Sequence, residues 1–150
     1  MGPAEASVEE LYREVILEHY RNPRNRGQLE GPDVRTVDLQ NPTCGDEVHL
    51  SLRVQGGTVQ DIRFTGRGCS ISMASASLMT EAVRGRTVEE ALLLSRDVKA
   101  MLQGRAPAED LGDLEALSGV SRFPVRVKCA TLAWNALLRA LGAQAAEEEA

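Results

Sequence analysis

Three cysteines and one aspartate are the residues of this 150-residue chain best suited to chemistry. Cys44 and Asp46 flank a glycine in "TCGDE", which would let the backbone turn so that both side chains face one point. The sequence pattern places Cys44 in a loop before a strand, Cys69 between a strand and a helix, and Cys129 in the first turns of the last helix. Core filling does not predict cysteines at such boundaries, so we consider a shared chemical role.

A metal site is the chemistry that this set predicts. Strand ends and helix N-termini lie on one rim when helices pack across a sheet, so the three sulfurs can converge. A helix N-terminus also favours a thiolate over a thiol. Three thiolates and one carboxylate suit zinc, or iron held transiently, with Asp46 as the weaker ligand. Arg126 lies three residues before Cys129, on the same helical face, where its charge would neutralise the sulfurs.

Ordinary structural roles explain several residues when each is taken alone. A Cys-x-Asp stretch often arises by chance, and Cys129 falls on an apolar stripe where a buried structural cysteine is common. His49 is predicted on the solvent face of its strand and His19 on the apolar stripe of the first helix, so both are assigned structural roles. The stretch "SIS" at 70–72 is predicted to cap a helix; a hydrolase nucleophile is the remote alternative, because the sequence places no partner histidine.

Composition is that of a globular protein. Hydrophobic residues make up 43% of the chain and charged residues 26%, and 150 residues suffice for one domain with its own core. We expect a single domain over residues 1–150, with a folded core over about 8–142 and a frayed acidic tail at 143–150. An odd number of cysteines and an N-terminus unlike a signal peptide predict a cytoplasmic location. No apolar run is long enough for a membrane span.

The net charge of −5 argues against general nucleic-acid binding. Arg21, Arg24 and Arg26 form a basic cluster, but only Tyr20 supplies an aromatic ring there. We therefore interpret this cluster as a solvated or partner-facing loop.

Two-residue alternation predicts three strands. It runs through 34–40, 48–54 and 58–65, and a Gln-Gly-Gly turn joins the last two segments in an antiparallel meander. Apolar and polar side chains alternate along the middle strand, so we expect only one face of the sheet to be buried.

Helical periodicity surrounds these strands. The predicted helices are, in chain order, a first one opened by the capping box of Ser7 and Glu10 and ending before Pro23, 71–82, 88–102 opened by the capping box of Thr87 and Glu90, a short one around 109–117, and one from Pro124 to Gly142. The predicted fold class is α+β: a small three-stranded antiparallel sheet with helices packed on one face and a helix first.

Four stretches of the sequence together carry a family resemblance. They are "LYREVILEHYRNPRNRG", "NPTCGD", "GRGCSISMASASLMTEAVRG" and "VKCATLAW". In this order, over most of the chain, they resemble the U-type iron–sulfur assembly proteins, the family of IscU, SufU and the NifU N-terminal domain. The resemblance implies the same α+β fold, with the family's ligand positions at Cys44, Asp46, Cys69 and Cys129 meeting on one exposed rim.

Three features make the chain more similar to the SufU branch than to IscU. Lys128 precedes the third cysteine where IscU-type scaffolds carry a histidine, and the Leu-Pro-Pro-Val-Lys segment of IscU has no counterpart. The interval of 60 residues before Cys129 is also longer than in IscU, with the extra length in the helix at 88–102. In the SufU branch the resemblance implies tightly bound zinc and acceptance of sulfur.

The resemblance leaves two functions to compare. In the first, the chain is a zinc-binding acceptor of persulfide sulfur from a cysteine desulfurase of the SufS or IscS type, with Cys44 on its glycine-flanked loop as the candidate acceptor. In the alternative, it is a scaffold on which a [2Fe–2S] cluster forms on Cys44, Cys69 and Cys129 and passes, with other assembly proteins, to apo-proteins. A purely structural zinc is the weakest interpretation. We expect a sulfurtransferase-type partner of the desulfurase, not a stand-alone enzyme, and no nucleic-acid or membrane partner.

Overall fold

Helices and a small sheet follow one another in the predicted order in the computed structural model, which describes residues 8–42, 45–106 and 110–142. The elements are, in chain order, α1 (Val8–Arg21), β1 (Val34–Asn41), β2 (Asp46–Gln55), β3 (Thr58–Arg67), α2 (Ser70–Val83), α3 (Val88–Leu102), a 3₁₀ segment (Gly112–Arg122) and α4 (Pro124–Ala140). The α+β fold class is therefore confirmed. Within the described ranges, no helix is long and apolar enough to cross a membrane.

The sheet is an antiparallel meander in the order β1-β2-β3. Val48, Leu50 and Leu52 of β2 point to its buried face, as the alternation predicts. α4 packs across β1 and β2 on this face, and α2 packs against β3. The core therefore lies between the sheet and these two helices and extends to α3 and the 3₁₀ segment, where Val98 and Leu117 are buried.

The opposite face of the sheet is not wholly open to solvent, which corrects the prediction that only one face is buried. After α1 the chain runs along the free edge of β3, where Gly27 N donates to Phe64 O (2.9 Å) and Phe64 N donates to Asn25 O (3.1 Å). It then crosses β2, where Leu29 N donates to Ser51 Oγ (2.9 Å). Ser51 is consequently only 3% exposed. The crossing segment also covers part of an edge strand that would otherwise offer unpaired backbone groups.

One of the two predicted capping boxes lies within the described residues. Glu90 N donates to Thr87 Oγ1 (3.0 Å) and Thr87 N donates to Glu90 Oε1 (2.9 Å), so the box that opens α3 is confirmed. The hydrogen bond from the Thr87 backbone lowers the pKa of Glu90. The first box includes Ser7, which lies outside the described residues, as does the acidic tail at 143–150. The single-domain assignment stays a prediction.

The short helix predicted around 109–117 is a 3₁₀ segment that begins later, at Gly112. Gly112 has a φ of +63°, in the left-handed region, which a continuous α-helix through 112 does not allow. Leu114, Leu117 and Val120 are all buried. Their spacing of three residues puts them on one stripe of a helix with three residues per turn, so the core favours the tighter form here.

His19 is buried on the apolar side of α1, as predicted. Its Nδ1 lies 2.7 Å from Ser77 Oγ, and that hydroxyl accepts a hydrogen bond from Arg24 N (2.8 Å). Ser77 therefore has its own proton to donate to Nδ1, which favours a neutral imidazole with its proton on Nε2, facing Glu81 at 3.7 Å. Burial, followed by the charge of Arg24, lowers the pKa of His19 below 6.5; the nearby carboxylates of Glu81, Asp113 and Glu18 oppose this.

We predict that acid destabilises the wild-type protein more than a His19→Gln variant. The unfolded chain takes up a proton on His19 as the pH falls through about 6.5, whereas the folded chain resists it, so the free energy of unfolding falls from there toward the folded pKa. Glutamine cannot titrate and can still bond Ser77. Urea unfolding of both proteins at pH 7.5 and 5.5 measures the change in the free energy of unfolding. An equal decrease in both proteins would contradict the lowered pKa assigned to His19.

Candidate metal centre

The structure brings Asp46, Cys69 and Cys129 together. One carboxylate oxygen and the two sulfurs all lie within 4.8 Å of one another. They come from the first residue of β2, the residue that precedes α2, and the second turn of α4. Cys44, the fourth residue predicted for this site, lies outside the described residues.

Asp46 belongs to a strand, because β2 begins two residues before the start predicted at 48. It pairs with Asn41 across the β1–β2 hairpin and is only 2% exposed. Gly45 just before it has a φ of +75° and donates its N–H to Asn41 O (2.7 Å), so the glycine provides the expected sharp turn. The carboxylate is therefore held by the sheet.

The Asp46 carboxylate also contacts the N-terminal end of α2. Its Oδ1 accepts a hydrogen bond from Cys69 N (3.2 Å), and its Oδ2 lies 4.0 Å from Cys69 Sγ. The prediction that the serines at 70–72 cap this helix is wrong, because Cys69 occupies the N-cap position and its own side chain makes no capping hydrogen bond. A carboxylate from a distant strand is favoured at this position by the helix dipole.

Gly68 makes the approach of Asp46 to α2 possible. A Cβ on residue 68 would lie 2.5 Å from Asp46 Oδ1 and 2.8 Å from its Cγ, far inside van der Waals contact. Any side chain at 68 would therefore push the carboxylate away from Cys69. The glycine before Cys69 in "TGRGCS" therefore has a steric role.

Cys129 is buried, with 1% exposure, and its Sγ lies 3.6 Å from Val125 O in the preceding turn of α4. The next residue takes part in a clamp between helices: Ser75 Oγ of α2 donates to Ala130 O (2.6 Å) and accepts from Trp134 Nε1 (3.1 Å). This clamp fixes α4 against α2, and thereby Cys129 against Cys69. The role of Ser75 was not predicted from its sequence position, although a serine among small residues of a buried helix is a signal for such a bond.

The site is less exposed than the predicted rim. Asp46 and Cys129 are buried, and Cys69 alone among the three is partly open to solvent. Arg126 is exposed beside it, on the side of α4 that carries Cys129. The neighbouring Cys69, and after it Cys129, raise the pKa of Arg126 through charge and hydrogen bonding. The guanidinium therefore lies close to both sulfurs, and its role in neutralising their charge stays a prediction.

These donors fit a tetrahedral zinc ion. Zn–S bonds of about 2.3 Å and Zn–O bonds of about 2.0–2.2 Å put neighbouring ligand atoms about 3.4–3.8 Å apart. A set of two sulfurs and one oxygen within 4.8 Å needs only a small contraction to reach that geometry. Cys44 stands two residues before Asp46 in the chain and could supply a fourth donor.

A second group of possible ligands lies elsewhere. His19, Glu81 and Asp113 also place ligand atoms within 4.8 Å of one another. Arg24 already supplies a positive charge there, with its Nε 3.8 Å from Glu81 Oε2. We assign no metal to this group. His49 lies apart from both groups, exposed and 2.8 Å from Asp38, as its predicted solvent-facing position implies.

Comparisons with known proteins agree with this geometry. A family model described as the NifU-like N-terminal domain matches residues 11–148. The chain is 53% identical over 134 residues to the zinc-dependent sulfurtransferase SufU of Bacillus subtilis strain 168, a match that covers 88% of this chain and 90% of that protein. It is 46% identical over 138 residues to the iron–sulfur cluster assembly scaffold protein IscU of Streptococcus pyogenes serotype M1, covering 91% and 86% respectively.

A solved structure leads to the same family. The crystal structure of a putative iron–sulfur cluster assembly scaffold protein for the SUF system from Fervidobacterium islandicum AW-1 matches with a TM-score of 0.82 at 33% identity, covering 90% of this chain and 99% of that one. The fold and the sequence agree, and the chain belongs to the NifU-like N-terminal domain family, which includes SufU and IscU.

Proposed function

We propose that this protein is a zinc-binding sulfur acceptor in iron–sulfur cluster assembly, and that a cysteine desulfurase supplies its sulfur. The observation that carries the proposal is the convergence of Asp46, Cys69 and Cys129 within 4.8 Å, with Arg126 beside the two sulfurs. The similarity to a zinc-dependent sulfurtransferase at 53% identity supports it. In this proposal Cys44 completes the ligand set.

In this proposal the four ligand residues and Arg126 have different roles. Cys69, Cys129 and Asp46 would hold zinc from two helices and a strand, and Cys44 from the hairpin connection. Bound zinc would keep the thiols deprotonated and protect them from oxidation. Arg126 lies exposed where a negatively charged sulfur would arrive, so it would stabilise that charge.

Cys44 is our candidate acceptor. Its thiolate would attack the outer sulfur of the desulfurase persulfide, so that a new S–S bond forms on Cys44 while the old one breaks and the desulfurase cysteine leaves as a thiolate. Cys69 is tied to the start of a helix and Cys129 is buried within one, so neither can move without disturbing helix packing. Cys44 stands in the sequence between the last residue of β1 and the first residue of β2, next to Gly45.

A scaffold function is the alternative, in which the same thiolates hold a [2Fe–2S] cluster that passes to apo-proteins. The similarity at 46% identity to a protein named as a scaffold supports it. A carboxylate ligand binds iron less tightly than a thiolate does, which would ease release of the cluster. In either function we propose a cytoplasmic protein that works through protein partners, with no catalysis by the chain alone.

Metal analysis and a desulfurase assay test the function directly. Protein purified without air should contain about one zinc per chain, since four such ligands suit tetrahedral zinc. It should also raise the rate at which its desulfurase forms alanine from cysteine, because it removes the stalling persulfide. Each of Cys44→Ser, Cys69→Ser and Cys129→Ser should lower the affinity for zinc by at least about 10–100-fold. The control Asp38→Ala, which removes an exposed carboxylate from β1, should leave that affinity unchanged.

Two results would overturn this proposal. Iron and sulfide in stoichiometric amounts, with a visible charge-transfer band and no zinc, would favour the scaffold. Absence of any desulfurase stimulation would exclude the acceptor role.

Substitutions of Asp46 should separate its role in folding from its role at the metal. Asp46→Ala removes the acceptor for Cys69 N and should lower the free energy of unfolding by about 1.5–3 kcal/mol, the usual contribution of a hydrogen bond to a charged group. Asp46→Asn keeps an oxygen for that hydrogen bond but loses the carboxylate charge. The asparagine variant should therefore melt near the wild-type temperature and release zinc faster to a chelator. Wild-type release from Asp46→Asn would show that the carboxylate is not a ligand.

Arg126→Gln should slow sulfur transfer without removing the metal. The variant loses the positive charge beside Cys69 and Cys129 but none of the proposed ligands, so zinc content should stay near one per chain while desulfurase stimulation falls several-fold. Arg122→Gln is the matched control, because Arg122 is an exposed arginine at the end of the 3₁₀ segment, just before α4, and faces Glu9 at 3.7 Å. Equal loss in both variants would point to general surface charge.

A further inference from the structure

Ser72 carries a buried hydroxyl that has no hydrogen-bond partner. The residue is 1% exposed, and its Oγ is the one buried side-chain polar atom in this state within the described residues. Buried polar atoms are almost always paired in folded proteins, so an unpaired one needs an explanation.

Other buried hydroxyls of the helices show the usual behaviour. Ser75 bonds Ala130 of α4, Ser77 bonds His19 and Arg24, Thr80 bonds the carbonyl of Ser77, and Ser95 of α3 bonds the carbonyl one turn before it. Ser72 is the third residue of α2, so the carbonyl one turn before it belongs to Gly68, which precedes the helix, and Ser72 Oγ has no partner. The difference lies in its position.

Ser72 stands beside the candidate metal centre. It follows Cys69 by three residues, on the same face of α2. The point where residue 68 would carry a Cβ lies 2.7 Å from Ser72 Oγ and 2.5 Å from Asp46 Oδ1. The hydroxyl and the carboxylate therefore border the same small space, which Gly68 leaves free.

We propose that Ser72 is a positioning residue for Asp46, an inference that rests on the zinc site of the proposed function. When Asp46 holds the metal through one oxygen, the Ser72 hydroxyl donates a hydrogen bond to its carboxylate. Metal-binding carboxylates commonly receive such a bond from a neighbouring group, which fixes the orientation of the ligand. Ser72 would thereby influence the rate at which the Asp46 carboxylate dissociates from the metal.

Ser72→Ala and Ser95→Ala make a matched pair for the test, since each removes one buried helical hydroxyl. Zinc release to a chelator should be about 10-fold faster in Ser72→Ala than in wild type, and unchanged in Ser95→Ala. The visible absorption of the cobalt-loaded protein, which reports ligand geometry, should shift only in Ser72→Ala. In an Asp46→Ala background, Ser72→Ala should have no further effect on release.

Thermal unfolding of the metal-free proteins separates positioning from simple packing. Removal of an unpaired hydroxyl should leave the melting temperature of Ser72→Ala unchanged or higher, whereas Ser95→Ala should lose a satisfied bond and melt lower. If Ser72→Ala releases zinc at the wild-type rate and has the wild-type cobalt absorption, the role of Ser72 is overturned. The same holds if a lower melting temperature is the sole effect of the substitution. Neither result would contradict the zinc site itself. A wild-type protein that takes up neither zinc nor cobalt would overturn both.

Discussion

The contact between the Asp46 carboxylate and the backbone N–H of Cys69 connects the sheet to helix α2. Asp46 opens the middle strand of the sheet, and Cys69 precedes the central helix. The contact exists because Gly68 has no side chain to block it. A buried carboxylate is costly unless it is hydrogen-bonded, and the helix N-terminus both donates to it and favours its charge. The sheet and helical layer are thereby fixed at the point where the sulfurs meet.

A second contact sets the remaining sulfur. Ser75 bonds the backbone of Ala130 and the indole of Trp134, so α4 cannot slide along α2 without breaking two buried hydrogen bonds. Cys129 directly precedes Ala130, so the same hydrogen bond also holds its backbone in place. The distance between Cys69 and Cys129 thus depends on packing between helices, and a metal would find two of its donors already placed.

The elements were predictable from the sequence because each one has a local signal, a period of two or 3.6 residues or a capping box. The errors share one physical cause, contacts between residues far apart in the chain. Asp46 is buried because α2 docks on it, Ser51 because the segment after α1 crosses the sheet, and the 3₁₀ segment follows the core at Leu114 and Leu117. The family resemblance predicts the ligand positions, and three of them, Asp46, Cys69 and Cys129, lie together, but no local pattern indicates that Ser72 would be left unpaired beside them.

The two oxygens of Asp46 offer a way to open a metal site without loosening the fold. Oδ1 bonds the Cys69 backbone, whereas Oδ2 faces the Cys69 sulfur at 4.0 Å. A carboxylate that bound metal through Oδ2 could release it while Oδ1 kept α2 attached to the sheet. Ligand exchange would then involve one weak oxygen arm and the hairpin connection with Cys44, and the two helix-borne cysteines would stay in place. A carboxylate can divide its roles in this way because it has two equivalent oxygens, which a fourth cysteine does not.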